Sequence, residues 1–307
     1  SHFFRSELQM VSEEGLNAYG AATWGQFFIY QGFNDRTGWI NTSSGVDNID
    51  EYLETVFQRG NRRFYRYGGR ELPMTTDTIT LRYRTATGTA ERAFTVFRTR
   101  HGPVVRTQGD RWVTVRLMQD PMHALMQSFS RTKARDLRSF RRALELHTNS
   151  SNNTVFASAD GDIGYFHSNF IPRRDTAFTW TQPVDGSNPA TDWHGLLSVD
   201  ESPNVVNPPV GWLYNSNDAP WNAAGAASPR KADYPSYVER GGASARGRHA
   251  VRVLQNSRGF TLDSLLAAAY ASYLPWFERP IPALARSWDQ AAAVDPEAVA
   301  VPLGDRR

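Results

Sequence analysis

Residues 77–100, DTITLRYRTATGTAERAFTVFRTR, constrain the fold more than any other stretch of the chain. Ile79, Leu81 and Tyr83 alternate with polar residues, a turn containing Gly follows, and aromatic and β-branched residues then resume. Alternation with a period of two on both sides of a turn signal predicts an antiparallel hairpin with one face in water. The chain is therefore expected to be rich in sheet.

Similar patterns predict a strand within residues 24–33 and two short strands within 154–166, joined by a turn at Asp160-Gly161. One helix is predicted over residues 130–149 from an apolar stripe and a basic stripe. The apolar stripe is Leu137, Phe140, Ala143 and Leu144, and the basic, solvated stripe is Arg131, Arg135, Arg138 and Arg142. Pro, Gly, Asn and Trp dominate residues 183–243, which predicts a long irregular segment that lines a site.

The composition excludes several classes of chemistry. The 307 residues contain no Cys, which rules out disulfides, zinc ribbons and thiolate nucleophiles. The net charge is only +3, and only residues 131–142 approach the basic face with aromatic residues that nucleic-acid binding needs, so we expect no nucleic-acid partner. A phosphate-binding track along that stripe remains the alternative to a solvated face. No apolar run reaches the roughly 18 residues of a membrane span. The G-x-S-x-G, H-E-x-x-H, Walker and dinucleotide-binding motifs are all absent.

Residues 211–221, GWLYNSNDAPW, place four polar side chains between Trp212 and Trp221. An Asn held between aromatic rings suits two tasks. It can donate to an oxyanion in a site that excludes water, or it can cap a turn. The spacing of the residues leaves both interpretations open.

Four segments, in this order, resemble the β chain of the penicillin acylase family: GLNAYGAATWGQFFIYQGFNDRTGWINTSSGVDNIDEYLE, RTRHGPVV, NNTVFASADGDIGYFHSNFIPRR and WHGLLSVDESPNVVNPPVGWLYNSNDAPW. These N-terminal nucleophile hydrolases include acyl-homoserine-lactone acylases and cephalosporin acylases. The resemblance implies an α+β fold, a four-layer α-β-β-α sandwich with a long irregular loop region. It also implies that residues 1–307 are a single incomplete domain, a β-chain fragment that lacks its first strand and C-terminal part.

In this family a Ser at the N-terminus of the β chain attacks the amide carbonyl, and its own α-amino group is the base. Matching the motifs places that nucleophile roughly two dozen residues before Ser1. Ser1 is therefore not expected to be the nucleophile, and the chain alone is expected to be inactive. The alternative, Ser1 as a processed nucleophile, would require a shortened first strand.

The resemblance assigns the oxyanion donors. Asn217 matches the family's side-chain donor, and the main-chain N–H of Ser43 matches its partner. The segment SARGRHAVRVL offers two arginines that could steady Asn217. Arg248 is favoured, and Arg246 remains open.

The segment SGVDNIDEY matches the region where many members of the family hold a structural Ca²⁺. Asp47 and Asp50 would supply carboxylates and Ile49 a carbonyl, which are the oxygen ligands that calcium prefers. A further ligand would come from the α chain of the same precursor. The alternative is that Asp47 caps a turn or a helix. No organic cofactor is expected.

Phe27, Trp39 and Trp212 are candidates for an apolar acyl pocket, although such residues also form cores. The expected substrate is a small N-acyl amide with a hydrophobic acyl group. Its amine could be a β-lactam nucleus, a homoserine lactone or a peptide. The family further implies a periplasmic or secreted protein with no membrane segment. The rival hypothesis is a non-catalytic β-sandwich whose Trp- and Asn-rich loop binds a carbohydrate or another ligand.

Overall fold

The structure is a computed structural model, and it describes residues 5–296. Sixteen strands and five α-helices lie in this range. The strands are β1 (Arg5–Val11), β2 (Asn17–Thr23), β3 (Gln31–Phe33), β4 (Thr37–Ser43), β5 (Asp50–Glu54), β6 (Val56–Arg59), β7 (Arg62–Tyr67), β8 (Arg70–Pro73), β9 (Thr75–Thr85), β10 (Gly88–Thr99), β11 (Gly102–Gln108), β12 (Arg111–Arg116), β13 (Asn152–Ser158), β14 (Ile163–Phe166), β15 (Val184–Asp185) and β16 (Asn204–Val206). The helices are α1 (Pro121–Thr132), α2 (Leu137–Leu144), α3 (Ala245–Gln255), α4 (Leu262–Ala269) and α5 (Pro280–Val294).

A seven-stranded antiparallel sheet, in the order β1-β2-β3-β4-β13-β14-β16, carries the candidate site. Its central pair, β4 and β13, places Ser43 opposite Asn152. Strands β2 and β3 approach closely at Gly20 and Gly32, where an added Cβ would lie 2.2 Å from a main-chain oxygen. Only glycine allows this contact, so these two positions fix how the edge strands join the centre.

Helices α1 and α2 cover one face of this sheet. Phe140 of α2 is fully buried, and its ring lies 4.5 Å from that of Phe156 on β13. Trp39 and Leu144 belong to the same core. Successive side chains of a strand point to opposite faces, so every second side chain of β4 and β13 enters this core and packs against the apolar stripe of α2.

The opposite face of the sheet is bare in part within residues 5–296, although Asn153 and Tyr165 on that face are buried. Ile40 and Phe33 point away from the helices and are 53% and 54% exposed. Two aromatic or β-branched side chains on neighbouring strands form the start of an apolar surface. Such a surface is typical of a face that packs against another element.

The remaining strands form a six-stranded sheet, β15-β5-β12-β11-β10-β9, and a three-stranded one, β6-β7-β8. Strands β9 and β10 are the hairpin predicted from residues 77–100, and they pair over eleven residue positions. Its apolar residues Ile79, Leu81 and Tyr83 are all exposed, so neither face of the hairpin is buried among the described residues.

The mixed helix and sheet content confirms an α+β fold. The helix layer over the seven-stranded sheet agrees with one half of the expected sandwich, and the complete four-layer arrangement stays a prediction. The turn at Asp160-Gly161 is confirmed, with β13 and β14 paired around it and Gly161 at a φ of 93°. Residues 183–243 contain only β15, β16, four 3₁₀ helices of three residues each and turns, as expected for an irregular segment.

Two predictions of secondary structure were wrong in part. The single helix over 130–149 is two helices, because Asp136 and Ser139 form a capping box that starts α2 anew. The break turns Arg131, predicted on the solvated stripe, into a buried residue. The strand predicted over 24–33 begins only at Gln31, because Gly25 adopts a φ of 86° and turns the chain.

Among residues 5–296 no helix combines the length and the apolar character needed to span a membrane.

Candidate active site

The turn at residues 215–218 holds Asn217 in an unusual backbone conformation. Its φ is 62°, in the left-handed region that non-glycine residues seldom adopt and that Asn tolerates best. Asn217 is exposed, so its carboxamide can meet a ligand. A residue held in this region depends on neighbours that fix it, and such residues cluster at functional sites.

Asn215 supplies most of that fixation. Its Oδ1 accepts hydrogen bonds from the Thr42 hydroxyl, from Asn153 Nδ2 at 3.2 Å and from the main-chain N–H of Asn217 at 2.9 Å. Its own Nδ2 donates to the carbonyl of Asp218 at 3.1 Å. Asn215 therefore fastens the turn to strands β4 and β13, which matches the structural role that a turn-capping Asn has.

Asp218 fastens the same turn to helix α3. Its carboxylate is buried and accepts from the N–H of Ser244, the N-cap of α3, at 3.3 Å, and from the Tyr214 hydroxyl at 3.2 Å. A carboxylate at a helix N-terminus is stabilised by the helix dipole. Burial, and after it the Asp218 charge, raises the pKa of Tyr214. Gly247 makes the approach possible, since an added Cβ there would lie 1.9 Å from Asp218 Oδ2.

The side chain of Asn217 points at the end of β4. Its Nδ2 donates to the carbonyl oxygen of Ser43 at 3.1 Å. Its Oδ1 accepts from Arg246 Nη2 at 3.0 Å, and the same Nη2 also donates to the Ser216 carbonyl at 2.7 Å. These contacts fix which end of the carboxamide faces Ser43, because Arg246 can only donate.

The choice between the two arginines of helix α3 is corrected by this geometry. Arg246 makes the contact with Asn217, whereas the favoured Arg248 lies over the ring of Trp276 at 5.4 Å. Two positions along a helix are about 200° apart around its axis, so the two guanidinium groups leave α3 in nearly opposite directions.

A cavity of about 330 Å³ lies beside the N-terminal end of β13, at Asn152. It is lined by Phe27, Tyr30, Arg131 and Asn152, among others, and Asn152 is the residue paired with Ser43. Phe27 is 61% exposed and is therefore free to contact a ligand. The Tyr30 hydroxyl donates to Asn152 at 2.6 Å, and burial raises the pKa of Tyr30 against the opposing charge of Arg131.

A second cavity, apolar and about 710 Å³ in volume, lies on the far side of Arg246 between helices α3 and α4. Ser216 and Arg246 form its end nearest the turn. Ser216, the neighbour of Asn217, therefore borders this second cavity.

The other two expected pocket residues do not join Phe27. Trp39 is 1% exposed and packs in the core under helices α1 and α2, so it cannot touch a ligand in this arrangement. Trp212 lies 6.4 Å from Tyr214 and borders a separate, smaller cavity with Leu254. Strand alternation shows that Trp39 and Ile40 lie on opposite faces, but it does not show which face is buried.

The expected calcium ligands are held by an arginine. Arg174 Nε lies 2.8 Å from Asp50 Oδ2, and Arg174 Nη1 donates to the main-chain oxygen of Asp47 at 2.8 Å. The indole of Trp193 also donates to Asp50, and the side chain of Ile49 is exposed. Of the carboxylate oxygens of Asp47 and Asp50, Asp50 Oδ1 is buried without a hydrogen-bond partner among residues 5–296.

One free oxygen beside a guanidinium group does not make the six to eight oxygen ligands that calcium takes. The residues therefore do not fit a bound Ca²⁺ while Arg174 stays in place. Across residues 5–296 no group of three or more His, Asp or Glu side chains could hold a metal ion.

Several residues of the site escaped the sequence analysis. Thr42, Asn153 and Asp218 position the turn, and Arg131 lines the cavity. The position of Asn153 beside the turn follows from the pairing of β4 with β13, which is a long-range contact that no local sequence pattern reveals. The signal for Asp218 was present in the quoted loop, where a carboxylate follows the two Asn residues directly.

Residues 1–301 match the model of the penicillin amidase family. The chain belongs to the penicillin amidase family. Membership in the penicillin amidase family confirms the resemblance seen in the sequence.

Two curated members of the penicillin amidase family are similar to the chain. Penicillin G acylase of Escherichia coli is 27% identical over 224 residues, which cover 67% of this chain and 25% of that protein. The acyl-homoserine lactone acylase QuiP of Pseudomonas fluorescens is 29% identical over 215 residues, which cover 65% of this chain and 25% of that protein. The matched region thus spans about a quarter of the length of each relative.

The fold is also found in a solved structure. A thermostable penicillin G acylase from Alcaligenes faecalis superimposes with a TM-score of 0.73 at 22% identity, covering 99% of this chain and 51% of that chain. At this identity the match establishes a shared fold.

Proposed function

We propose that the chain forms the oxyanion-binding half of an amidohydrolase that cleaves an N-acyl amide through a Ser acyl-enzyme. In the first step the Ser oxygen bonds to the acyl carbon, the C–N bond breaks and the amine leaves with a proton. In the second step water releases the acid. The relatives' names, penicillin acylase and acyl-homoserine lactone acylase, support an N-acyl amide as the substrate.

The observation that carries the proposal is the fixed carboxamide of Asn217. One N–H of Nδ2 donates to Ser43, and an Asn amide has a second N–H that is left for a substrate oxygen. Arg246 holds the oxygen end of the amide, so the donor end does not need to reorient during the reaction. Fixed donors aimed at the place where charge develops are the largest single contribution in many acyl transfers. The main-chain N–H of Ser43 is the proposed second donor.

The nucleophile of this reaction is proposed to lie outside this chain. Motif spacing puts the N-terminal Ser roughly two dozen residues ahead of Ser1, and Ser1 itself lies outside the described residues. The proposal therefore includes an autoproteolytic precursor, an α chain cut from it as partner, and a periplasmic or secreted location. The exposed Ile40 and Phe33, on the face of the seven-stranded sheet that points away from α1 and α2, are consistent with such a partner.

The acyl group is proposed to enter the cavity beside Asn152. Phe27, Phe28 and Tyr30 give this cavity aromatic walls, and Asn152 is paired with Ser43 across β4 and β13. A volume of about 330 Å³ is at the small end for ligand pockets. The acyl group is therefore short or a single ring, and the amine could be a β-lactam nucleus, a homoserine lactone or a peptide.

The test compares Asn217→Ala with Asn207→Ala in the assembled protein that forms when the full-length precursor is processed into its chains. Asn207 is a matched control, because it also adopts positive φ, at 48°, and uses its side chain to bond to β14 and to Asp162. Asn217→Ala should lower kcat by about 100-fold to 1000-fold with a small change in KM, and Asn207→Ala should not. Release of amine from a panel of N-acyl amides measures both. Equal kcat values for the two variants would refute the oxyanion role.

A further inference from the structure

A buried histidine, His167, is linked to the 215–218 turn by hydrogen bonds. It follows β14 immediately and is 2% exposed. Its main-chain N–H donates to the Pro203 carbonyl at 2.9 Å, and its ring Nδ1 lies 2.7 Å from Asn153 Oδ1 on β13. Because both its main chain and its ring are held, the imidazole has a defined orientation toward β13.

Three hydrogen bonds in series join His167 to the main chain of Asn217. The first joins His167 Nδ1 to Asn153 Oδ1. In the second, Asn153 Nδ2 donates to Asn215 Oδ1 at 3.2 Å. In the third, the same oxygen of Asn215 accepts from the N–H of Asn217 at 2.9 Å. His167 and Asn153 are both buried, so the first bond is protected from water and is stronger than it would be at the surface.

The directions of these bonds follow from one group that can only donate. The N–H of Asn217 is a donor, so Asn215 must present its oxygen to it. That oxygen also contacts the Asn153 amide, so the NH2 group of Asn153 faces Asn215 and its oxygen faces His167. The hydrogen of the neutral imidazole is therefore on Nδ1. A hydrogen on Nε2 instead would bring two acceptors, Nδ1 and Asn153 Oδ1, together at 2.7 Å.

His167 selects one orientation of the Asn153 amide, whereas its other neighbour does not. The Tyr165 hydroxyl lies 2.8 Å from Asn153 Oδ1, but a hydroxyl can donate or accept and so tolerates either end of the amide. The Nδ1–H of His167 only donates. If the amide were reversed, the oxygen of Asn153 would face the oxygen of Asn215, and the bond between them would be lost.

The other ring nitrogen of His167 faces an acid. Nε2 lies 3.9 Å from Glu239 Oε2, and both atoms are buried without a hydrogen-bond partner among residues 5–296. The other oxygen of Glu239 accepts from the N–H of Gly241 at 2.7 Å. A separation of 3.9 Å is too long for a hydrogen bond, so these contacts also favour a hydrogen on Nδ1. Burial lowers the pKa of His167 to about 3, and the ring is therefore neutral at physiological pH.

We propose that His167 is a positioning residue of the oxyanion site. This inference rests on the proposed amidohydrolase function. The Nδ1–H of His167 fixes the amide of Asn153, and Asn153 in turn fixes Asn215. Asn215 then holds the main chain of Asn217 at its φ of 62°, a conformation that depends on such neighbours, and so directs the carboxamide toward the reacting carbonyl. His167 does not touch the substrate and acts only through Asn217.

The test compares two amide side chains at position 167 in the assembled protein. An Asn places its NH2 group where the imidazole has Nδ1, and a Gln places it where the imidazole has Nε2. His167→Asn should therefore keep kcat near the wild-type value. His167→Gln should lower kcat by about 10-fold to 100-fold with KM nearly unchanged, because the oxyanion donor moves out of line. Release of p-nitroaniline from phenylacetyl-p-nitroanilide and butanoyl-p-nitroanilide measures both constants.

His101→Gln is the matched control for the loss of a buried imidazole. His101 is also 2% exposed, and its Nδ1 lies 2.8 Å from Glu54 Oε1. It lies between β10 and β11 of the six-stranded sheet and takes part in none of the three bonds. His101→Gln should lose stability in urea and keep kcat. An equal loss of kcat in His101→Gln and His167→Gln would overturn the inference, since general loosening would then explain both.

A double variant tests whether the effect passes through Asn217. Adding His167→Gln to Asn217→Ala should lower kcat little further, because the donor that His167 positions is already absent. Independent effects would multiply instead. A further loss of about 10-fold to 100-fold in the double variant would therefore overturn the inference.

The wild-type protein supplies a measurement that needs no variant. NMR of the imidazole nitrogens at neutral pH should find the hydrogen of His167 on Nδ1, and a hydrogen on Nε2 would overturn the inference. A loss of kcat in Asn217→Ala but not in His167→Gln would also overturn it and would leave the proposed function intact. Release of p-nitroaniline from neither anilide, or an unchanged kcat in Asn217→Ala, would contradict the proposed function itself.

Discussion

Replacing Arg174 with Met tests the buried ion pair that holds Asp47 and Asp50. The Arg174 side chain is fully buried and Asp50 nearly so, and their closest atoms are 2.8 Å apart. Removing one partner of a buried pair costs about 3–5 kcal/mol, because the other charge is left unpaired. The variant also loses the bond to the Asp47 carbonyl and contacts with the rings of Trp180 and Tyr237. We expect the free energy of unfolding to fall by about 3–5 kcal/mol at pH 7.

The loss should depend on pH in a defined direction. Burial raises the pKa of Asp50 in the folded protein, and Arg174 opposes that rise. Without Arg174 the folded-state pKa rises further above its value in the unfolded chain. The folded variant then binds a proton first as the pH falls, so its deficit is largest above the folded pKa and shrinks at lower pH. Urea unfolding at pH 7 and pH 5, followed by Trp fluorescence, measures both values.

Arg173→Met is the matched control, because Arg173 pairs with Glu201 at the surface and an exposed pair contributes about 1 kcal/mol or less. A loss below about 1 kcal/mol for Arg174→Met at pH 7 would refute the reasoning. The same variant tests calcium. If Ca²⁺ restores the stability of Arg174→Met, the freed oxygens of Asp47 and Asp50 can hold the ion; if it does not, they cannot.

Three further predictions concern stability and protonation. Phe140→Ala should lower the free energy of unfolding, measured by urea titration, by about 3–5 kcal/mol, because the ring is fully buried. Arg138 is exposed on the same helix, and Arg138→Ala should change this free energy by less than about 0.5 kcal/mol. Hydrogen bonds from Arg173 and Ser198 lower the pKa of Glu201 to about 2. The contribution of the ionised Glu201 to folding stability should therefore be present above pH 4.5 and disappear as the pH falls toward 2. An NMR titration of the wild-type protein and Arg173→Met would measure this pKa. Burial lowers the pKa of His167 from 6.5 to about 3. The free energy of unfolding should therefore decrease as the pH falls from 6.5 toward 3, by up to roughly 5 kcal/mol at 1.36 kcal/mol per pKa unit. His167→Gln should abolish this pH dependence.

The elements that the sequence predicted well are those with local causes. The β9–β10 hairpin and the turn at Asp160-Gly161 depend on alternation and on turn residues within a few positions. The stripe of α2 was also correct, with Phe140 buried as expected. These patterns needed no knowledge of the rest of the chain.

The features that the sequence missed depend on tertiary contacts. Arg131 belongs to a basic stripe only if one helix runs through residues 130–149. Instead α1 ends at Thr132 and α2 begins at Leu137, so Arg131 and the arginines of α2 lie on different helices. Arg246 and Arg248 have equivalent sequence surroundings, and only the direction of α3 selects Arg246. Trp39 was assigned to a pocket because an aromatic residue on a strand has the same pattern on either face.

The 215–218 turn and the cavity beside Asn152 are supported by different parts of the chain. Helix α3 and Asn215 hold the turn, while helix α1 and the segment around Phe27 build the cavity. Substitutions on α1 are therefore expected to change the shape of the cavity without displacing the carboxamide of Asn217. The two parts of the proposed site can therefore vary independently of each other.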